Sequence, residues 1–265
     1  MAGRQTADIV FCMDASGSMD NTFNGVRNNV FKLIDGLKTN LQIQWDVRFD
    51  FLAYSNGSHT MRMQTLNYKG KDVLDKLYNS KLSFNSIFGA SNNFFTTDVG
   101  KFKDKLSEVK CNGDEATLLA LDIAADFPFR DASSCHRTVI LFTDEPVDRG
   151  TCVKQTTSKV MELAKKYQDK KIALFMVTPN CDVFDTLSQI DKCEWTVDES
   201  SSLKDLDFSK FLEGIGKSVS VSQNAISAVN DVKPLYNESA WRQCSYQDNM
   251  VEVKFSDSFL NSIFQ

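Results

Sequence analysis

The chain has 265 residues, with 30 Lys+Arg against 35 Asp+Glu for a net charge of −5. At about 150 residues per domain this length allows about 1.8 domains, either one large domain or a domain with an appendage. With 42% hydrophobic and 25% charged residues the composition is that of an ordinary globular chain, which excludes disorder, collagen and mucin-like sequence.

No stretch approaches the roughly 20 apolar residues of a membrane-spanning helix, and the start, MAGRQTADIV, lacks the uninterrupted apolar core of a secretory signal. A soluble, cytoplasmic chain is expected. Seven cysteines, Cys12, Cys111, Cys135, Cys152, Cys181, Cys193 and Cys244, form no CxxC pair, which favours reduced thiols over a zinc cage or a disulfide framework. A Cys181–Cys193 bridge stays open. Sequons at Asn56 and Asn237 would matter only outside a cell. The acidic balance argues against nucleic acid and anionic membrane as partners. The Lys101, Lys103, Lys105 and Lys165, Lys166, Lys170, Lys171 groups lie on expected helices among acids, as solvated faces do.

In chain order, Ile9 to Met13 is a continuous apolar run closed by Asp14, the pattern of a strand buried on both faces. Phe23, Val26, Val30, Leu33, Ile34 and Leu37 recur at helical spacing and predict a helix from about Asn21 to Lys38. Ile43 to Tyr54 alternates as a long strand, Ser55-Asn56-Gly57 turns, and Met61 to Leu66 returns antiparallel. A short helix is expected over Val73 to Tyr78, and others over Val99 to Val109 and Ala116 to Ala125. Thr138 to Phe142 repeats the buried-strand pattern before Asp144. A helical stripe from Val153 to Tyr167, a buried strand Ile172 to Val177, a helix near Val183 to Ile190, a strand Glu194 to Val197 and a helix from Leu206 to about Val219 follow. Such alternation implies an open, mostly parallel α/β sheet with helices on both faces. Residues 220–265, richer in Ser, Asn and Gln and ending in the alternating piece Met250 to Phe255, read as an extension packed on the domain of residues 7–219.

Ligands of open parallel sheets bind beyond the carboxyl ends of the strands. There the first strand ends in Asp14-Ala15-Ser16-Gly17-Ser18-Met19, a D-x-S-x-S spacing that aims a carboxylate and two hydroxyls from one loop. A hard cation such as Mg²⁺ takes oxygens of this kind in octahedral geometry and keeps several waters. Read alone, the motif also fits Asp14 as a cap of the following helix, with the serines satisfying loop amides.

At DIVFCMDASGSM and RTVILFTDEP the chain resembles the von Willebrand factor type A (vWA) family. Asp14, Ser16 and Ser18 match the family's metal-ion-dependent adhesion site, and Asp144 matches its second aspartate. The resemblance, over about residues 7 to 219, implies a Rossmann-like, doubly wound, mostly parallel six-stranded sheet with one antiparallel edge strand. A further ligand from the loop Gly113-Asp114-Glu115-Ala116-Thr117 would be Glu115 or Thr117. Direct binding by Glu115 leaves the site near a charge of about −1, whereas Thr117 leaves it near zero, a difference felt by an incoming acidic group. Glu145 departs from the glycine common after the strand-end aspartate. The family's additional calcium site is not expected.

Other motifs carry less. Gly216-Lys217-Ser218 lacks the first glycine of a phosphate loop, position 211 being Phe211, and reads as a helix C-terminal glycine. The histidines, His59 and His136, accompany no G-x-S-x-G elbow. Phe84, Phe88, Phe94, Phe95 and Phe102 read as core plugs under a loop, with a partner-binding lip as the rival.

The resemblance implies a non-enzymatic protein-binding module. Mg²⁺ or Mn²⁺ on Asp14, Ser16, Ser18, Glu115 or Thr117, and Asp144 would capture an Asp or Glu of a protein partner, within an intracellular complex such as an ATPase or kinase system. The rivals are a metal-dependent phosphohydrolase using Asp14, and a scaffold that binds its partners without metal.

Overall fold

The computed structural model describes residues 3–37, 43–57, 60–73, 84–89, 94–147, 156–227 and 242–243. Its centre is β1 (Gly3–Asp14), whose apolar run faces core on both sides. Ile9, Phe11 and Met13 enter one layer, Val10 and Cys12 the other. A strand that buries both faces needs parallel neighbours joined by helical crossovers. β1 pairs in parallel with β2 (Ile43–Asn56), where Asp14 stands opposite Tyr54, and with β5 (His136–Phe142), where Met13 stands opposite Phe142. β6 (Ile172–Thr178) and β7 (Cys193–Val197) continue the parallel series.

Antiparallel pairing occurs at both margins. β3 (Thr60–Gln64) returns on β2, β4 (Lys69–Val73) pairs with β3, and β8 (Arg242–Gln243) pairs with β7. The order is β4-β3-β2-β1-β5-β6-β7-β8. The expected class therefore holds with more strands than the six anticipated, and with antiparallel partners at two edges instead of one. Val73 ends β4; the rest of the helix expected over Val73 to Tyr78 lies outside the described residues.

One layer holds α1 (Asp20–Leu37), α3 (Val99–Ser107) and α7 (Phe208–Ser227), and the other holds α2 (Phe84–Phe88), α4 (Thr117–Ala124), α5 (Thr156–Asp169) and α6 (Asp182–Leu187). Phe23, Val26, Val30, Leu33 and Leu37 form the buried stripe of α1. α1 and α7 touch through glycines, a Cβ on Gly216 falling 2.1 Å from the Leu33 carbonyl oxygen and one on Gly36 2.3 Å from that of Glu213. Gly216 is thus an interior packing residue, not the helix C-terminal glycine expected, because α7 continues to Ser227. The domain boundary expected at 219 falls inside this helix. Residues 228–241 and 244–265, including the alternating piece at Met250 to Phe255, lie outside the described residues.

The phenylalanines plug the core, as expected. Phe84, Phe88 and Phe94 stack around Phe127 with centroids 5.1 to 6.3 Å away, while Phe102 sits 5.2 Å from Phe11 in the opposite layer. Beside them the fully buried Asp50 of β2 accepts backbone N–H bonds from Phe51 (2.8 Å), Leu66 (3.1 Å) and Phe95 (2.9 Å), and burial pushes its carboxyl up to about 7 against these bonds. No disulfide joins Cys12, Cys111, Cys135, Cys181 and Cys193 among the described residues, so Cys181 and Cys193 are not bridged.

Midway along β1, where its apolar run begins, Asp8 is fully buried and doubly paired. Arg48 grips it bidentately at 2.8 and 2.6 Å. Arg130 adds its backbone N–H at 2.7 Å and Nε at 2.9 Å, and also bonds Asp46. Burial alone would raise the Asp8 carboxyl; the bonds from Arg48 and Arg130 outweigh it and hold the group below the ordinary carboxylate value. A depressed folded-state pKa stabilises the fold above the unfolded-state value, and the contribution disappears as pH falls through the folded one. Asp8→Asn is therefore expected to cost about 3 kcal/mol in urea unfolding at neutral pH, the gap to wild type closing as pH falls below 4.

Candidate metal centre

The topology reverses at β1, since β2 lies on one side and the later β5 on the other. The crevice beyond the carboxyl ends of β1 and β5 is therefore the position where open α/β sheets bind ligands. Asp14, Ser16 and Ser18 enter it from the β1–α1 loop, and Thr143 and Asp144 enter from the end of β5.

Asp14 is fully buried. The Ser16 backbone N–H donates to its Oδ1 at 2.8 Å and the Thr143 hydroxyl to its Oδ2 at 2.9 Å. Ser16 and Ser18 share a hydroxyl–hydroxyl bond of 3.3 Å, and Ser18 donates to Asp144 Oδ1 at 2.9 Å. Three of the expected residues are thus linked in a row, Ser16 to Ser18 to Asp144, with Asp14 at its buried end. Burial pushes the Asp14 carboxyl up to about 7, the charges of Glu115 and Asp144 adding to the rise while the Ser16 and Thr143 bonds oppose it. Among the described residues no ion pair involves Asp14, Glu115 or Asp144.

The loop carrying Glu115 is held by the ends of β1 and β2. Asn112 N–H donates to the Ala15 carbonyl (2.7 Å), and Asn56 and Asp114 exchange N–H···O bonds of 2.6 and 2.9 Å. Gly113 turns between them at φ +96°, with the Asn56 carbonyl oxygen only 2.5 Å from where a Cβ would stand. Glu115 is half-buried, and its carboxyl is raised by burial first and then by Glu145, Asp114 and Asp144. Thr117 opens α4, buried, with its hydroxyl 3.0 Å from that of Tyr54. The two candidates for the further ligand therefore differ in surroundings: Glu115 faces the acids, and Thr117 is engaged by a buried tyrosine. Among the described residues no three His, Cys, Asp or Glu side chains converge as a metal cage. The converging oxygens are those of one buried carboxylate, two hydroxyls and a second carboxylate, a donor set of the hard-cation type.

Two residues of this cluster escaped the sequence reading. Thr143 precedes the matched aspartate and supplies the second bond to Asp14. Ser202, in a three-residue turn before α7, donates its N–H to Asp144 Oδ2 at 2.6 Å and its hydroxyl to the Ser18 carbonyl, while its own carbonyl accepts from Thr22. It does so at φ +63°, a left-handed conformation uncommon for serine. A serine among serines offers no sequence signal for this. Glu145 N–H reaches Thr143 Oγ1 at 3.4 Å, so the departure from glycine sits at the rim of the cluster.

A doubly wound sheet with polar groups gathered at its switch point defines the class of protein. No protein-family model matches the chain, and no curated protein matches it by sequence. In fold, 162 solved chains match it. One is described as von Willebrand factor type A from Catenulispora acidiphila, with a TM-score of 0.51 and 15% identity, covering 82% of this chain and 43% of that one. The likeness at this identity is one of fold, and the chain spans less than half the length of the structure it matches. The domain has a vWA-like fold, as the resemblance at residues 7–219 implied.

Gly113→Ala is expected to destabilise the protein by about 1–3 kcal/mol in urea unfolding, because its φ and the Asn56 carbonyl both refuse a Cβ. Gly57→Ala, with no neighbour nearer than 3.4 Å, is the control and should change stability by under about 0.5 kcal/mol.

Proposed function

We propose that the protein is a metal-ion-dependent protein-binding module. Mg²⁺ or Mn²⁺ would be held by Asp14, Ser16 and Ser18 directly, with Asp144 and either Glu115 or Thr117 directly or through water. Bound there, the cation supplies an electrophilic position for a carboxylate oxygen, and an Asp or Glu of a partner protein is the group it would capture. The fold supports an interaction module, and the resemblance at DASGS and TDEP extends that to metal-dependent capture within an intracellular complex, with an ATPase or kinase system as the candidate setting.

The observation that carries this reading is the treatment of Asp14. Both Asp8 and Asp14 are fully buried on one strand, at opposite ends of its apolar run Ile9–Met13. Asp8 has two guanidinium partners, whereas Asp14 has an amide, a hydroxyl and two carboxylate neighbours that raise it. A buried carboxylate left among acids costs free energy unless a cation joins it. A divalent ion inverts that balance. The phosphohydrolase rival is weaker, because such sites want a second acid two residues beyond the nucleophile and Ser16 stands there.

Calorimetric titration of Mg²⁺ and Mn²⁺ is expected to give one site in the wild type, and no heat above dilution in Asp14→Ala. Equal binding by both proteins would remove the site. Turnover of p-nitrophenyl phosphate that is lost in Asp14→Asn would replace the adhesion reading with the hydrolytic one.

A further inference from the structure

Next to the acidic cluster lies a cleft of opposite character. Its volume is about 300 Å³, at the lower end of the roughly 300–1,000 Å³ of small-molecule sites and suited to a side chain or two. Ala15, Ala53 and Met63 lie along it, and Arg62, Lys69 and Lys110 surround it. Ala15 joins the two sites, being the residue between Asp14 and Ser16. It donates its N–H to the Tyr54 carbonyl at 2.7 Å and accepts from Asn112 at 2.7 Å. Cleft and candidate metal centre thus share one wall of backbone.

The three basic side chains are exposed, and among the described residues none of them forms an ion pair. Among the described residues Arg62 bonds the neutral side chain of Asn112. By contrast Lys105, Lys166, Lys170 and Lys217 all have acidic partners. In a chain of net charge −5, three unpaired cations around one apolar cleft form a local field complementary to acidic ligands.

We propose that this cleft is a docking groove for an extended acidic segment of a partner protein. The segment would seat an apolar side chain between Ala53 and Met63 and set carboxylates against Arg62, Lys69 and Lys110, while a further carboxylate reaches the cation at Asp14. The inference deepens the metal-dependent reading and rests on it for that last contact alone. The cations steer and select acidic sequences, the apolar cleft fixes register, and the metal supplies the directional bond.

The test starts with a random peptide library selected on the wild-type protein in Mg²⁺. The recovered peptide is then titrated by fluorescence anisotropy against wild type, Asp14→Ala, and Lys69→Glu/Lys110→Glu. The double variant changes only exposed side chains and keeps the Arg62 bond to Asn112. Its Mg²⁺ binding is measured in parallel, and circular dichroism checks its fold. Acidic peptides carrying an apolar residue are expected, with affinity falling about tenfold or more in the double variant while its Mg²⁺ binding is kept. Peptides without acidic character, undiminished binding by the double variant, or no selected peptide would each overturn the groove. Loss in the double variant together with indifference to EDTA and to Asp14→Ala would uphold the groove and reject metal capture.

Discussion

The structure depends on burying the Ile9–Met13 run of β1 completely while leaving a carboxylate at each end of that run. Between Asp8 and Asp14 every side chain of the strand is apolar and covered on both faces, so helices must lie on both sides of the sheet and the neighbouring strands must run parallel. Charges beside such a run cannot be tolerated unless they are compensated where it ends. At the amino end, Arg48 from β2 and Arg130 from the segment before β5 close over Asp8. These contacts tie β1 to both of its neighbours by ionic bonds as well as by the backbone ladder. At the carboxyl end the neighbours bring a hydroxyl and more acids instead.

The same constraint explains how the loops are arranged above the sheet. Where β1 ends, its next carbonyl, that of Ala15, is taken by Asn112, and the Asn56 and Asp114 backbones pair to extend β2 beyond the sheet. Residues distant in sequence are thereby stapled around one point, with Gly113 supplying the turn that a side chain would block. From the other side Ser202 bonds Asp144 and Ser18 and accepts from Thr22 at the start of α1. A left-handed serine is unfavourable on its own, and it is sustained here by three bonds to three different segments.

Much of this could be read from the chain, and the boundary between legible and illegible is physical. Ile9 to Met13, Thr138 to Phe142 and Ile172 to Val177 declare themselves because burial on two faces demands unbroken apolar runs, and the helices between them carry a one-sided stripe. Asp14, Ser16, Ser18 and Asp144 were legible because they follow such runs at short range. What was missed depends on contacts between remote segments. β4 contains Lys69, Gly70, Lys71 and Asp72, an edge strand with little apolar pattern that exists because β3 offers it a partner. Gly216 became a packing glycine because α1 brings Gly36 against it. Asp50 looks like any polar residue of an alternating strand, yet three backbone amides from separate segments converge on it. The position of Glu115 relative to Thr117 follows from the Asn56–Asp114 pairing and the φ of Gly113, neither of which has a local signature.

The distribution of charge across the upper face follows from this geometry too. Lys69 belongs to β4 and Arg62 to β3, the antiparallel strands that extend the sheet past β2, and Lys110 precedes the stapled loop. Folding therefore sets these cations around a cleft that shares Ala15 with the Asp14 loop, without pairing them to Asp14, Glu115 or Asp144. If the two groups existed only to stabilise the fold, direct ion pairs between them would have been the economical arrangement, as at Asp8, Arg48 and Arg130. Leaving the cations unpaired around an apolar cleft keeps both sets of charges available to a ligand. Surface cations of this kind contribute little to stability whether paired or not, so their placement bears on recognition far more than on folding, and it is the buried carboxylate at Asp14 that carries the energetic cost.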